Sequence, residues 1–560
     1  MIWNQSYFLF GHGLIFSVVL ASLPVLTLLV LLGVMRKPAW VAGLSGLAIT
    51  LLLATVAYGM PLRTAISAAA NGAAFGILPI SWIVFWAIVL FHVTVETGHF
   101  EIIKDSVGRL TPDCRLQALL IAFAFGGFLE GAAGFGTPVA IASTMLIGLG
   151  FTAFSASAIC LLANTAPVAF GSIGIPIITL AGTTGLPLDK LSVAVGRICT
   201  PMSLLIPAYL IVAMGGFGSL SGIWAPTLIA GGVFAIMQLF VSTYLGPHLT
   251  DIFAAIATIA ALVLWFRTHR SSDQNTMLTP SAADSWRRFA CTNADGTSTG
   301  SDEERKVPPA HSTREILYAW LPYALLVVCV LLWGWAPFQS ILNKATILIH
   351  WPYLDNVVQR VPPIVANPTP YHAIYNLNLL SASGTACMTA SLLSALCLKM
   401  RPRDFLRVIG KAINQLKLPT VTVTSVLALA FLMNYCGATA TLGLAFSATG
   451  RAFPFFSALL GWIGVFLTGS DTSANALFGN LQVVTAGRLG FDPVLMAAAN
   501  SSGGVMGKMI SLQTIAVAAA ATGLTQAEQS KLFRFTLKHS ILLACIVGLV
   551  TMLYTYVFHL

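Results

Sequence analysis

Charge is what this chain lacks. Asp, Glu, Lys and Arg make up 9% of its 560 residues, against ~25% in a soluble globular protein. Hydrophobic residues make up 57%, and the mean hydropathy is +0.85. An ordinary soluble domain is thereby excluded. Acids are scarcer than bases, 19 against 29, for a net charge of +10. The bases gather between apolar runs, as the positive-inside rule expects, so the charge calls for no nucleic-acid partner. The nine cysteines include no CxxC pair. Most lie in apolar runs, where a thiol packs as a small hydrophobe. Neither a disulfide framework nor a metal cluster is expected, and no HExxH-type spacing points to a metal or other cofactor.

What the chain has is apolar length. Runs near 20 residues recur from end to end, each able to cross a ~30 Å hydrocarbon core. The first, Leu14 to Val34, is too long for a signal-peptide core and lacks a basic leader, so it reads as a retained span. Twelve spans are expected, at 12–34, 39–60, 80–97, 152–182, 198–216, 224–244, 248–266, 317–337, 380–398, 419–436, 492–522 and 538–558. The fold class is an all-α polytopic membrane protein with the lipid bilayer as its surroundings.

Two further apolar segments, 116–149 and 454–487, fit no simple crossing. Each has 34 residues, about 51 Å as a straight helix at 1.5 Å per residue. Both have centres rich in glycine and polar residues. A re-entrant helical hairpin accounts for both facts, since non-helical backbone at that depth must be lined by protein or a watery cavity. Segments 152–182 and 492–522 are also overlong. Asn164-Thr165-Ala166-Pro167 and Gly171 to Pro176 interrupt the first, and Asn500-Ser501-Ser502-Gly503-Gly504 the second. Both are expected as discontinuous helices. The insert 267–314, with 7 Lys/Arg and 6 Asp/Glu, reads as a flexible cytoplasmic linker between residues 1–266 and 315–560. The proline-bearing stretch 338–378 is expected as an ordered extracytoplasmic loop.

The chain repeats itself. Met60-Pro61 matches Met400-Arg401-Pro402, Pro79 matches Pro419, and Gly98 matches Gly437. Phe128-Leu129 matches Phe466-Leu467, Asn164 matches Asn500, and Thr184-Gly185-Leu186 matches Thr522-Gly523-Leu524. Arg197 roughly matches Arg534. Loop 61–78 has one base, Arg63, where 400–418 has five: Arg401, Arg403, Arg407, Lys411 and Lys417. Loop 98–115 has Lys104, Arg109 and Arg115, where 437–453 has only Arg451. Opposite bias in equivalent loops predicts two inverted-topology repeats. Tracing the spans puts 98–115, 267–314 and 400–418 inside and both termini outside.

Inverted repeats with broken helices are how secondary transporters build a site at the midplane. Each hairpin carries an acid, Glu130 in the first and Asp471 in the second. An ionisable side chain in an apolar segment is a functional candidate, and burial disfavours the charged carboxylate. Both are candidate proton carriers; the competing reading is a structural ion pair with Lys508 or Arg197. They are not strict equivalents, since Glu130 aligns with Thr468. Substrate-binding candidates are Gly134, Gly136, Ser470, Thr472 and Ser473 at the tips, and Asn164, Thr165, Asn500, Ser501 and Ser502 at the breaks. Broken helices point N–H groups at a carboxylate, although small residues also serve close helix packing. Lys508 can receive a carboxylate or pair with an acid. Arg197 begins a span and can snorkel to the interface. His92 and Glu96, one turn apart, read as an interfacial pair.

Several long stretches carry a resemblance. They are Phe128-Leu-Glu-Gly-Ala-Ala-Gly-Phe-Gly136, Asn164-Thr-Ala-Pro-Val-Ala-Phe-Gly171, Gly461 to Ser473, Gly503 to Ser511 and Phe533 to Ser540. At these residues the chain resembles the bacterial L-lactate permease family, over nearly its whole length. Thr137 departs from the small alanine-like residue expected there, and the insert 267–314 does not match clearly. The resemblance implies proton-coupled uptake of lactate, L or D, with glycolate as a close relative, across a bacterial inner membrane. It also implies kinship with the ion transporter superfamily, whose folds use inverted repeats and paired hairpins.

Composition and spacing alone reach a secondary transporter of a small anion; a homo-oligomer remains open. Three alternatives stand beside proton symport. A sodium-coupled carboxylate transporter would use the same hairpin tips. An intramembrane enzyme would use Glu130 and Asp471 as a carboxylate pair, without the metal spacing that usually accompanies one. A passive channel would leave the buried acids unexplained.

Overall fold

The computed structural model describes residues 2–11, 13–35, 37–108, 110–111, 113–134, 136–269 and 311–558. Most of the expected linker, with Cys291, lies outside the described residues, as does Phe135 of the first hairpin motif. Among the described residues, Cys160, Cys199, Cys329, Cys387, Cys397, Cys436 and Cys545 are free thiols.

The apolar runs fold as helices because backbone groups away from water must bond within their own segment. Among the described residues, 11 helices are long and apolar enough to cross a membrane, or up to 13 if each of two bent pairs forms one span. Two sets of elements follow one order. The first set is the bent helix Leu62–Glu96, the short helix His99–Gly108, a hairpin, a broken helix and Leu188–Gly215. The second is Pro402–Cys436, Ala438–Phe446, a hairpin, a helix pair and Gln526–Tyr556. The turns match as well. Gly98 and Gly437 both have positive φ (74° and 95°), as do Gly185 and Gly523 (73° and 72°). Backbone there reverses through the left-handed region that glycine adopts without a Cβ clash.

The segments read as loops from their charge are largely helical. Residues 62–75 begin the bent helix Leu62–Glu96, which therefore starts well before residue 80. It turns at Leu78 (φ −128°, ψ 122°), because a proline forces extended backbone on the residue before it. Residues 402–418 open the 35-residue helix Pro402–Cys436. That part is a surface helix: Val408, Ala412 and Leu416 are buried at intervals of four, while Arg403, Arg407, Lys411 and Lys417 are exposed. Charge alone could not separate such an amphipathic helix from a loop.

The 338–378 stretch is ordered. Strand Ile347–His350 pairs antiparallel with Ile374–Leu377. Val358–Arg360 pairs parallel with Trp3–Asn4 and antiparallel with Thr369–Pro370.

Candidate functional site

The first hairpin runs out through Cys114–Ala132 and returns through Thr137–Gly148. Gly134 (φ 58°) and Gly136 (φ 81°) make the reversal, and Pro138 starts the return arm. Glu130 sits two residues before the end of the outgoing arm. The second hairpin, Phe453–Thr468 and Asp471–Leu489, turns at Gly469 (φ 73°) and Ser470. Ser470 Oγ caps the return arm by accepting from the Ser473 amide at 3.2 Å. Asp471 follows in the first turn, where the helix dipole favours an acid.

The first broken helix is present. Ala153–Ala163 and Val168–Thr184 meet at 67°, and Ser172, Ile173 and Gly174 all have positive φ. The second break is displaced from its expected place. Helix Pro493–Lys508 passes unbroken through Asn500 to Gly504, and the interruption falls at Met509–Ser511 before Leu512–Thr522. Gly503 and Gly504 serve approach instead. A Cβ on Gly503 would overlap the Ala458 carbonyl oxygen, and one on Gly504 would lie 2.5 Å from Asp471 Oδ1. Asn500, Ser501 and Ser502 therefore offer side chains to the site, not free helix-end amides.

Lys508 is the last residue of its helix, where the dipole favours a cation. Its Nζ lies 2.8 Å from Glu130 Oε1, with the side chains 11% and 3% exposed. Glu130 packs against Gly171, where a Cβ would come within 2.7 Å of Oε1. A second acid stands beside this pair. Asp251, in the first turn of Thr250–Thr268, is buried against Gly131: a Cβ there would lie 2.8 Å from the Asp251 Cβ.

A separate polar network surrounds Asp471. Its Oδ2 accepts from Ser501 Oγ at 2.7 Å and from Asn475 Nδ2 at 3.3 Å. Asn475 Nδ2 also reaches the Pro176 carbonyl at 3.1 Å, in the first broken helix. Asn500 Nδ2 donates to Asn475 Oδ1 at 2.9 Å, and Gln482 Nε2 donates to Asn500 Oδ1 at 3.0 Å. All of these side chains are buried. Ser501 and Lys508 lie seven residues apart, two turns along one helix face, so a single helix presents both clusters.

The sequence candidates thus divide. Glu130 meets Lys508, and Asp471 meets Ser501, with Asn500 joined through Asn475. Ser172 Oγ donates to the Ala133 carbonyl at 3.2 Å, and a Cβ on Gly134 would overlap it, so the first tip is tied to the first break. Ser502 Oγ accepts from Cys199 Sγ at 3.5 Å. Gly136 faces Val517, Thr165 bonds back to Leu162, and Thr472 is partly buried. The Asn164 amide is buried, and neither of its atoms has a hydrogen-bond partner among the described residues. Arg197 pairs with neither acid. It lies within Leu188–Gly215, exposed on a cavity of about 380 Å³ shared with Asp189, Asp492 and Tyr554. His92 and Glu96 do not pair with each other. His92 Nε2 meets Gln415 Oε1 at 2.7 Å, and Glu96 pairs with Lys411.

Asp251, Asn475 and Gln482 were missed. Asn475 had a signal, four residues after Asp471 and so on the same helix face. Asp251 had one too, as an acid at the start of an apolar run.

A profile of the L-lactate permease family matches residues 17–558. The chain is 42% identical over 576 residues to the L-lactate permease of Bacillus subtilis (strain 168), covering 100% of this chain and 99% of that one. It is 42% identical over 568 residues to the glycolate permease GlcA of Escherichia coli (strain K12), at 99% and 98% coverage. It is 40% identical over 562 residues to the L-lactate permease of the same strain, again at 99% and 98%. Among solved structures, the YdaH transporter of Alcanivorax borkumensis aligns over 87% of this chain and 86% of its own at 14% identity, with a TM-score of 0.41. With its many spanning helices and full-length matches to bacterial permeases, this is a multi-pass inner-membrane protein, and the chain belongs to the L-lactate permease family.

Proposed function

We propose that this chain carries L-lactate and related 2-hydroxy monocarboxylates, D-lactate and glycolate among them, into the bacterial cell together with protons. The observation that carries the reading is the buried Glu130–Lys508 pair, which ties the first hairpin to the helix that also serves Asp471. A carboxylate reaching Lys508 takes the place of Glu130. Glu130 is then a buried charge without its cation, a state that costs ~3–5 kcal/mol. A proton on Glu130 removes that cost. One anion and one proton enter together, and the site keeps its net charge.

Helical side chains lean toward the N-terminus, so the Lys508 stem reaches back toward Ser501. A small acid held at the ammonium has the hydroxyls and amides of the Asp471 network on that same side, which suits a 2-hydroxyl group. Asp471 is the second proton-carrying candidate. Its hydrogen bonds to Ser501 and Asn475 give a proton change there a route to the first broken helix through Pro176. The relatives named for L-lactate and for glycolate support this substrate range, because both acids share a carboxylate and an adjacent hydroxyl.

The test uses purified protein in sodium-free proteoliposomes. L-lactate added outside is expected to draw protons in, with glycolate competing and citrate and succinate not. Lactate uptake that requires sodium and moves no protons would overturn the reading in favour of sodium coupling.

A further inference from the structure

Asp251 belongs to neither hairpin and to neither duplicated motif, yet it is only 1% exposed. Its helix packs on the outgoing arm of the first hairpin so closely that a Cβ on Gly131 would lie 2.8 Å from the Asp251 Cβ and 3.1 Å from the Ile252 amide nitrogen. Glu130, the residue before Gly131, and Lys508 are both within electrostatic reach of it. The other facing groups are Gln238 from Trp224–Tyr244 and Cys199 from Leu188–Gly215; helix Gly171–Thr184 brings no titratable side chain. Among the described residues, neither Asp251 oxygen has a hydrogen-bond partner of normal geometry, and neither does Glu130 Oε2.

The one ammonium near these two carboxyl groups is thus taken by Glu130, at 2.8 Å, and Asp251 forms no ion pair with it among the described residues. An ionised Asp251 would be a second buried negative charge without a partner, which desolvation strongly disfavours. A protonated Asp251 is neutral and has an O–H to give.

We propose that Asp251 is the proton donor to Glu130 during transport. The proposal rests on the reading of the chain as a proton-coupled symporter. When the substrate carboxylate takes Lys508, the Asp251 O–H bond breaks and the proton bonds to Glu130 Oε2, leaving an Asp251 carboxylate. A proton from water then restores Asp251. The sum is one proton taken from solution for each Glu130 neutralised, and one for each anion admitted.

The test compares net uptake with exchange. Asp251→Asn cannot donate and be recharged, so lactate-driven proton uptake into proteoliposomes is expected to fall at least tenfold relative to lactate–lactate exchange in the same vesicles. Asp251→Glu keeps a carboxyl but displaces it; it is expected to restore part of the uptake with a shifted dependence on pH. Folded Asp251→Asn protein with the wild-type ratio of uptake to exchange would overturn the proposal, as would an equal loss of both. Should Asp251→Asn not fold, a folded Asp251→Glu protein with the wild-type pH profile would overturn it. Wild-type vesicles that take up lactate without protons would instead sink the symport reading itself, so the two failures are distinguishable.

Discussion

Glu130 and Lys508 stand 378 residues apart in the chain, and their side chains meet at 2.8 Å inside it. Such a pair can be scaffold or site, and a pair of variants separates the two. Lys508→Ala alone strands Glu130, so a loss of stability of ~3–5 kcal/mol is expected with the loss of binding. Glu130→Gln combined with Lys508→Met removes both charges and is expected to recover most of the stability. It should not recover lactate affinity, because the cation is gone. Equilibrium binding and thermal unfolding of purified protein check this. Wild-type affinity in the double variant would assign the lysine to the scaffold.

The polar network around Asp471 should behave differently. Ser501→Ala removes one hydrogen bond to the carboxylate, worth ~1.5–3 kcal/mol where a charged group is involved and ~0.5–1.5 kcal/mol where it is neutral. Binding is expected to weaken more modestly than in Lys508→Ala, with the protein still folded. Affinity lost as completely as in Lys508→Ala would mean that Ser501 is a principal contact of the substrate.

Both acids were legible in the sequence because carboxylates are rare in apolar runs, and Lys508 was legible for the same reason. Their pairing was legible only as an alternative between Lys508 and Arg197, since sequence cannot say which elements touch. The hairpins could be read from excess length and glycine-rich centres. The second break could not be placed. Gly503 and Gly504 look like helix breakers, but here they make room for Ala458 and Asp471 across a close helix crossing, and the true interruption is marked only by the Ser511 cap on Thr514. Asp251 was passed over because it lies at the very start of a run, where an acid ordinarily reads as interfacial.

Neutralising the acids should uncouple transport. Glu130→Gln and Asp471→Asn are each expected to reduce gradient-driven accumulation of lactate at least tenfold, and at least one should lose less of its exchange than of its accumulation. An amide imitates the protonated acid and cannot release a proton. Accumulation by both variants with wild-type pH dependence would remove them from the coupling step.

The ordered 338–378 stretch has its own pH response. Asp355 is partly buried, which pushes its carboxyl up. Hydrogen bonds from the Ala373 amide at 2.8 Å and from His350 at 2.7 Å outweigh that and hold it below the ordinary range. A folded-state value below the unfolded value, ~3.9 for Asp, adds stability above that value that is lost as pH falls past it. Protection of Ile347–His350 and Ile374–Leu377 from hydrogen exchange should therefore hold from neutral to mildly acid solution and drop below about pH 4. Asp355→Asn should lower protection at neutral pH and flatten the acid drop. A steep acid drop retained in that variant would assign it to another group.

Orientation gives the last prediction. The trace from charge bias puts 98–115, the connection after Leu188–Gly215 and the start of Pro402–Cys436 on the inner face. Contacts join elements of that set: Arg115 Nη1 donates to the Ser219 and Ser221 carbonyls at 2.8 and 3.0 Å, and Glu96 pairs with Lys411. Contacts also join elements that the trace puts outside. Trp3–Asn4 pairs with Val358–Arg360, Arg488 donates to the Pro363 carbonyl at 3.1 Å, and the Tyr556 hydroxyl donates to the Arg451 carbonyl at 2.6 Å. The exposed Arg403 and Ala448 report on the two faces. In a background lacking the exposed Cys397, Arg403→Cys should resist an impermeant thiol reagent added to intact cells and react once the membrane is opened. Ala448→Cys should react in intact cells. Labelling of position 403 from outside would break the inverted-repeat reading, because its basic helix is the strongest charge marker of the inner face.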